Sequence, residues 1–130
     1  MVHTSPLDQA GTGDAGGMNI YVCESATEMA KLGAQVDIYT RRANSDYPDI
    51  VDRGNGVQVI HLNVGAEKLS KEELPSLIPE LSKAFEHAIA NIDYDVIHTH
   101  YWISGKVAMP VAKKRGIPLV HTMHTMARVK

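Results

Sequence analysis

Short apolar runs alternate along this chain with longer segments whose apolar positions recur at helical spacing. The apolar runs are residues 35–40, 57–62, 95–100 and 118–122. Strands that alternate with amphipathic helices are typical of βαβ units, in which helices cover both faces of a parallel sheet. The pattern therefore predicts an α/β fold, a Rossmann-like parallel sheet in three layers.

Apolar residues at helical spacing predict the helices that cover this sheet. They lie in residues 16–32, in a segment that begins after Pro75 or Pro79, and in residues 104–115. Gly33 is a stop signal for the first helix, and Pro110 is expected to kink or divide the third. Residues 41–56 are polar and rich in Asn, Asp, Pro and Gly, which predicts a long loop.

Both ends of the chain fit the pattern less well. Only Met1, Val2 and His3 precede a glycine-rich segment that needs a strand to position it, so we expect the chain to begin partway along a first strand. Residues 127–130 follow the last predicted strand without a closing element. We therefore expect one domain, residues 1–130, that is incomplete at both ends.

Composition narrows the class of protein. With 130 residues, of which 44% are hydrophobic, the chain is large enough for one domain with a core. The net charge of -2 and the scattered basic residues disfavour nucleic-acid binding. The sequence lacks a stretch long enough to cross a bilayer and lacks a signal-peptide pattern, which favours a cytoplasmic protein. A single cysteine, Cys23, cannot form an internal disulfide and is expected to be a small buried side chain.

The glycine-rich segment from Gly11 to Asn19 leads directly into the first predicted helix. Glycines let main-chain N–H groups approach a ligand closely, and the free N–H donors at a helix N-terminus favour phosphate or a polyol oxygen. A flexible loop with Asp14 as the helix N-cap is the alternative interpretation. Local spacing alone leaves both interpretations open.

The same glycines match the dinucleotide-binding pattern G-x-G-x-x-G, and Asp37 follows at about the distance of a ribose-binding acid. However, residues 3–10 separate the glycines from any strand, and Asp37 lies inside a predicted strand rather than at its carboxyl end. Nicotinamide binding is therefore disfavoured, and no cofactor is expected in this chain.

Polar and aromatic residues collect where the predicted strands end, which is where open parallel sheets bind ligands. Two histidine pairs, His98-x-His100 and His121-x-x-His124, could each offer two imidazoles to a metal ion. Neither pair has a cysteine or carboxylate cluster beside it, so no metal site is predicted. His98 and His121 have apolar neighbours and are expected in the core, whereas His100 and His124 are expected further out, available to a hydroxyl-rich ligand.

Two further residues are ambiguous by themselves. Lys71 lies between Ser70 and a pair of glutamates, which is typical of a solvated charge in the first turn of a helix. Tyr101, which precedes Trp102 after a strand, could equally be part of a hydrophobic plug over the sheet edge.

Four separated segments are more specific when they are taken together. They are His3-Thr4-Ser5-Pro6, the run from Gly11 to Val22, His98-Thr99-His100-Tyr101-Trp102 and His121-Thr122-Met123-His124-Thr125. In this order they resemble the N-terminal half of the retaining family-4 glycosyltransferases of the GT-B fold. Two Rossmann-like domains of that fold face each other across a cleft. The resemblance implies that this chain is the N-terminal, acceptor-side domain and that the C-terminal donor domain is absent from it.

The resemblance also implies an activity. The family members most similar to this chain transfer N-acetylglucosamine from UDP-N-acetylglucosamine to 1D-myo-inositol 3-phosphate in mycothiol biosynthesis, with retention of configuration. The implied mechanism is a front-face substitution in which the leaving phosphate helps to deprotonate the acceptor hydroxyl, so the enzyme mainly supplies orientation and charge stabilisation. The partners would be a nucleotide-sugar donor and a phosphorylated polyol acceptor, and a homodimer of the full-length enzyme stays open.

Site residues follow from the resemblance position by position. Acceptor contacts fall on His3, Asp14, Ala15, Gly16, Gly17, Met18, Asn19, Lys71, Tyr101 and Thr125. Lys71, Tyr101 and Thr125 match the positions that hold the acceptor phosphate, and His124 is the catalytic candidate. Donor contacts fall on Gln9, Ala10 and Gly17, although the family usually has proline at the position of Ala10.

Two alternatives to an inositol phosphate acceptor stay open. One is a sucrose-phosphate-synthase-like transferase that uses fructose 6-phosphate or another sugar phosphate. Met18 and Asn19 after the two glycines favour inositol phosphate, because the sucrose-type relatives generally resemble Gly-Gly-Gln there. The other alternative is a non-catalytic binding module of the same fold.

Overall fold

A computed structural model of the chain describes residues 1–7 and 16–124 and contains the three helices and the four strands that the apolar pattern predicts. The elements are α1 (Gly17–Lys31), β1 (Val36–Arg41), β2 (Ile50–Gly54), β3 (Val57–Leu62), a short 3-10 helix (Leu74–Leu77), α2 (Ile78–Ala88), β4 (Ile97–His100), α3 (Trp102–Arg115) and β5 (Leu119–Thr122). Among the described residues, none of the helices combines the length and the apolar character needed to cross a bilayer.

Parallel ladders dominate the two sheets. β1 pairs with β3 in parallel, from Val36 opposite Val57 to Arg41 opposite Leu62. β4 pairs with β5 in parallel, starting with Ile97 opposite Leu119. The predicted α/β fold with parallel strands is confirmed. One difference is that the described strands form a three-stranded and a two-stranded sheet rather than one continuous sheet.

The prediction of a long loop over residues 41–56 was wrong, because this segment contains β2, which pairs antiparallel with β3. Its side chains are mostly exposed, with only Val51 partly buried, so it lacks the apolar pattern of the inner strands. Asn55 (φ 56°) and Gly56 (φ 88°) turn the chain into β3. An Asn-Gly pair is a strong hairpin signal, since a tight two-residue turn needs positive φ at both positions.

Helix α3 runs from Trp102 to Arg115 as one helix with Pro110 inside it, so of the two effects expected of Pro110 the division does not occur. The Pro110 side chain is exposed, where the proline ring does not disturb the packed face of the helix. The helix ends at Gly116, whose φ of 67° is the left-handed conformation that glycine adopts readily.

The core consists of two apolar clusters on opposite faces of β1 and β3. The α1-side cluster contains Met1, Val22, Ala26, Ile38, Val57 and Val59. The α2/α3-side cluster includes Val2, Leu62, Leu81, Phe85, Ile103 and Val107. Because successive strand residues point to opposite faces, β1 and β3 contribute to both clusters, as expected of a sheet covered on both sides.

Arg41, at the carboxyl end of β1, holds the loop that follows β3. Its side chain is 4% exposed, and its Nη1 donates to the carbonyl oxygens of Val64 at 3.2 Å and Ala66 at 2.6 Å. Its Nη2 donates to the carbonyl oxygen of Glu67 at 3.3 Å. Burial lowers the pKa of the guanidinium, but arginine stays charged at neutral pH. The loop that leads to Lys71 is thus fixed to the sheet by a buried cation.

We expect Arg41→Ala to lower the free energy of unfolding by about 2–4 kcal/mol, because four carbonyl groups, including that of Arg42 at 3.4 Å, lose a charged donor. Chemical denaturation at constant pH measures the change. Arg53→Ala is the matched control, since Arg53 is exposed on β2 and its removal should cost less than about 0.5 kcal/mol. Equal effects of the two substitutions would contradict the role of Arg41.

Candidate functional site

Residues 3–5 join the N-terminus of α1 to the carboxyl ends of the strands. Asn19, in the first turn of α1, is 3% exposed and donates from Nδ2 to Ser5 O at 2.6 Å and to Thr4 Oγ1 at 3.3 Å. Thr40 Oγ1 of β1 donates to Thr4 O at 3.2 Å. Ser5 Oγ lies 3.5 Å from Nε2 of His61 in β3. The segment is therefore fixed to one helix and two strands.

Three predicted site residues from distant parts of the chain meet beside this segment. The Tyr101 ring lies 4.6 Å from the His3 ring, centroid to centroid, and the Lys71 ammonium lies 4.8 Å from the Tyr101 centroid. A cation over an aromatic face gains a modest electrostatic attraction. Among the described residues, no carboxylate forms an ion pair with Lys71. Its charge is therefore available to an anion.

Two residues at this edge have strained backbones. Tyr101 has φ of 73° and His124 has φ of 59°. Within the described chain the third non-glycine residue with positive φ is Asn55, which the hairpin turn explains. Such conformations cost about 1–3 kcal/mol for ordinary residues and concentrate at functional sites. Neither Tyr101 nor His124 lies in a tight hairpin, so the strain supports a site at these strand ends.

A cluster of imidazoles lies next to Tyr101. Nδ1 of His100 is 3.0 Å from Nε2 of His124, and the His98 ring is 4.2 Å from the His100 ring. The Tyr21 ring of α1 packs edge-on against His100 at 5.8 Å and His124 at 5.5 Å. The His100–His124 pair and Tyr21 thus connect α1 with the ends of β4 and β5.

The expected burial of these histidines was wrong for three of the four. His98 and His121 are exposed, not buried, and His100 is only 7% exposed. His124 is exposed as expected. The apolar neighbours of His98 and His121 indicated the strand but not which face of it would be covered. Tyr21 covers the end of β4 at His100, whereas His98 borders a groove between the two sheets.

The surroundings keep the imidazoles of His98, His100 and His124 neutral at neutral pH. Burial, together with the neighbouring imidazoles and the amino terminus, lowers the pKa of His100 to about 3. Burial also lowers the pKa of His124 and of His98. A neutral imidazole can donate from one nitrogen and accept at the other, which suits a hydroxyl ligand. In the described part of the chain, no three His, Cys, Asp or Glu side chains are grouped to hold a metal ion.

The N-terminus of α1 presents main chain rather than side chains. Gly16 is the N-cap, and its carbonyl oxygen accepts the N–H of Asn19 at 3.0 Å. A Cβ atom added to Gly16 or Gly17 would meet no described atom within 4 Å. The Met18 side chain is partly buried and packs against both core clusters. The helix N-terminus carries a positive partial charge that favours anions.

Several predicted residues lie outside the described ranges. They are Gln9, Ala10, Asp14, Ala15 and Thr125. Sequence reasoning missed Tyr21 and Arg41, which contact other site elements rather than open space. Arg41 lies in no motif, so no sequence signal marks it. Tyr21 lies one helical turn beyond Met18, inside the segment from Gly11 to Val22 that carries the family resemblance.

Asp37, the acidic residue of the dinucleotide-binding pattern, accepts a hydrogen bond from the Tyr94 hydroxyl. That hydroxyl also lies 2.7 Å from the hydroxyl of Tyr39. Asp37 therefore takes part in a polar network of the fold, away from the end of β1.

Curated relatives match the chain over nearly its full length. The D-inositol 3-phosphate glycosyltransferase of Kineococcus radiotolerans is 48% identical over 99% of this chain and 31% of its own length. The protein of the same name from Xylanimonas cellulosilytica is 50% identical over 99% of this chain and 32% of its own length. The chain spans about a third of the length of the curated relatives it matches.

A solved structure shows which fold the chain adopts. Sucrose-phosphate synthase from Thermosynechococcus elongatus superposes with a TM-score of 0.92 at 32% identity, over 99% of this chain and 33% of that one. The fold predicted from the sequence, the N-terminal domain of a GT-B glycosyltransferase, is thereby confirmed. The model of the glycosyl transferase 4-like domain matches residues 16–130, which is most of the chain. The chain therefore belongs to the glycosyl transferase 4-like family.

Proposed function

We propose that this chain is the acceptor-binding part of a longer retaining glycosyltransferase, which transfers N-acetylglucosamine from UDP-N-acetylglucosamine to 1D-myo-inositol 3-phosphate. One observation carries the proposal. The Lys71 ammonium, without a carboxylate partner among the described residues, lies over the Tyr101 ring, which also contacts His3. The names of the relatives that are 47–50% identical support the choice of acceptor.

Each group at the edge has a role in this proposal. Lys71 supplies a positive charge to the acceptor phosphate and Tyr101 a hydroxyl donor, with Thr125 as the third phosphate contact. His3, Asn19 and the main chain at Gly16 and Gly17 bind ring hydroxyls, together with Asp14 and Ala15. The Oδ1 atom of Asn19 suits this role, because it is buried and has no hydrogen-bond partner among the described residues.

His124 contacts the acceptor hydroxyl that reacts. The bond from the anomeric carbon to the phosphate oxygen of the donor breaks as the bond to the acceptor oxygen forms, and the acceptor proton passes to the leaving phosphate. His124 holds the acceptor hydroxyl in position for this transfer, so the contribution of this chain is orientation. The donor binds at Gln9, Ala10 and Gly17 and on a second domain beyond residues 1–130. A cytoplasmic location and a homodimer of the whole enzyme remain predictions.

We expect Lys71→Gln to weaken binding of 1D-myo-inositol 3-phosphate by about 10- to 100-fold, since a charged hydrogen bond to phosphate is lost. Isothermal titration calorimetry with this chain measures the dissociation constant. Lys83→Gln is the control, because Lys83 is exposed on α2, away from the site. Unchanged binding in the Lys71 variant would contradict the proposed phosphate contact.

The same titration distinguishes the acceptors. Tighter binding of fructose 6-phosphate than of inositol 3-phosphate would favour the sucrose-phosphate-synthase type, to which the solved structural neighbour belongs. If neither compound binds, the result favours the non-catalytic binding module of the same fold. We expect the inositol compound to bind more tightly and the isolated chain to transfer no sugar.

The free energy of unfolding should fall as the pH drops from about 6.5 towards 3. The unfolded chain binds a proton at His100 near pH 6.5, but the folded chain binds it only near pH 3. This contribution to stability is complete above pH 6.5, and its loss has a slope of up to about 1.4 kcal/mol per pH unit. His100→Asn should flatten the slope relative to the original chain in denaturation series at several pH values. His87→Asn, an exposed histidine on α2, should leave it unchanged, and equal slopes in all three proteins would contradict the role of His100.

A further inference from the structure

Lys71 lies in a short turn that Ser70 and Glu73 close from both sides. The carboxylate of Glu73 accepts the main-chain N–H of Ser70 at 2.6 Å, and the N–H of Glu73 donates to the carbonyl oxygen of Ser70 at 3.1 Å. The first of these bonds is the one with which a glutamate closes the start of a helix three residues before it. Two hydrogen bonds thus join the residues that flank Lys71 and Glu72.

The turn lies between two parts of the chain that are anchored to the fold. Glu73 is the N-cap of the 3-10 helix, and Leu74, the next residue, is only 2% exposed. On the other side, Gly65 packs so closely that an added Cβ atom would lie 2.5 Å from Cδ1 of Leu77. Between these anchors, the hydrogen bonds of Glu73 determine the course of the main chain at Lys71.

The carboxylate of Glu73 is engaged by the main chain and not by Lys71. The hydrogen bond from the Ser70 N–H lowers the pKa of Glu73, so this group stays ionised at neutral pH. Among the described residues it nevertheless forms no ion pair with Lys71. Glu67, on the other side of the turn, likewise accepts a main-chain N–H, that of Ser45. Both carboxylates therefore leave the Lys71 charge available to an anion.

The position of the Lys71 ammonium depends on the course of its main chain. A lysine carries its charge at the end of four flexible carbon atoms, and an aromatic ring beneath the ammonium adds only a modest attraction. The ammonium lies 4.8 Å from the ring centroid of Tyr101, which is itself only 5% exposed. Because the ring is fixed in the core, a shift of the turn would move the ammonium away from it.

We propose that Glu73 is a positioning residue for Lys71. By closing the turn, Glu73 holds the Lys71 ammonium over Tyr101, where the ammonium meets the phosphate group of the acceptor. Glu73 acts through the turn and does not touch the acceptor. The contact with phosphate rests on the proposed function, whereas the positioning of Lys71 does not.

The charge and the hydrogen bond of Glu73 have opposite effects on a bound anion. Its negative charge repels a phosphate, whereas its hydrogen bond orients the lysine that attracts the phosphate. Glu73→Gln removes the charge but keeps an oxygen that can accept the Ser70 N–H, and Glu73→Ala removes both. If Glu73 acted by its charge alone, the two substitutions would strengthen phosphate binding equally. Positioning predicts that only Glu73→Ala weakens it.

The first measurement is an NMR spectrum of this chain without a ligand. The ring current of Tyr101 should shift the ε-methylene protons of Lys71 upfield from the values of a solvated lysine, because the ammonium lies over the ring. We expect this shift to persist in Glu73→Gln and to move towards the solvated values in Glu73→Ala. Exchange of the Ser70 amide should accelerate by about tenfold in the alanine variant only.

The second measurement is a calorimetric titration with 1D-myo-inositol 3-phosphate. We expect Glu73→Ala to bind this compound about three- to tenfold more weakly than the original chain, and Glu73→Gln to bind it at least as tightly. Glu72→Ala is the matched control, because Glu72 is an exposed neighbour with the same charge and forms no ion pair among the described residues. It should keep the Lys71 shift and should not weaken binding. Since Glu73 is exposed, neither of its substitutions is expected to unfold the chain.

The proposal is overturned if the Lys71 signals of Glu73→Ala match those of the original chain. It is also overturned if the original chain binds the acceptor and the two Glu73 variants bind it equally well. If the original chain does not bind the inositol compound but Glu73→Ala still loses the ring-current shift, the proposed function fails. The positioning of Lys71 by Glu73 is supported in that case.

Discussion

The hydrogen bonds of Asn19 hold the site together. Its side-chain amide, buried in the first turn of α1, donates to both Thr4 and Ser5. Without these bonds, Thr4 and Ser5 would lose their hydrogen bonds to the first turn of α1, and the neighbouring His3, whose ring contacts Tyr101, would be held less firmly. The N-terminus of α1, residues 3–5 and the end of β4 therefore form one unit. An amide suits this position because it stays uncharged when buried and can bond two neighbours at once.

Lys71 and the N-terminus of α1 both contribute positive charge to the candidate site. Lys71 lacks a carboxylate partner among the described residues, and the first turn of α1 contains no acidic residue that would neutralise its positive end. The nearby imidazoles stay neutral and add hydrogen-bonding groups without adding charge. A compact anion that also carries hydroxyl groups matches both properties, which is why a phosphorylated polyol suits the edge better than a neutral sugar. The buried Arg41 fixes the loop before Lys71 to the end of β1.

The elements that the sequence predicted well are those whose apolar pattern repeats. Helix α1 and strand β3 lie within one residue of their expected limits. The hairpin strand β2 was missed because its side chains are polar on an edge, although Asn55 and Gly56 gave a local turn signal. Burial of His98 and His100 depends on what covers each end of β4, which is a tertiary property that local spacing cannot show. The contact of Lys71 with Tyr101 joins positions 30 residues apart, so only the resemblance to a family linked them before the fold was known.

Strand β4 connects the core with the site. Ile97 at its start packs in the α2/α3-side cluster, while the His100 imidazole at its end lies 3.0 Å from His124 and edge-on to Tyr21. Tyr101, the next residue, has a strained φ of 73° and carries the ring beneath Lys71. Strained backbone persists only where the surrounding structure holds it in place, and the hydrogen bond from the Tyr101 N–H to Thr122 O, at 2.9 Å, contributes to that restraint. Strand β4 thus packs in the core at its start and leads to candidate acceptor contacts at its end.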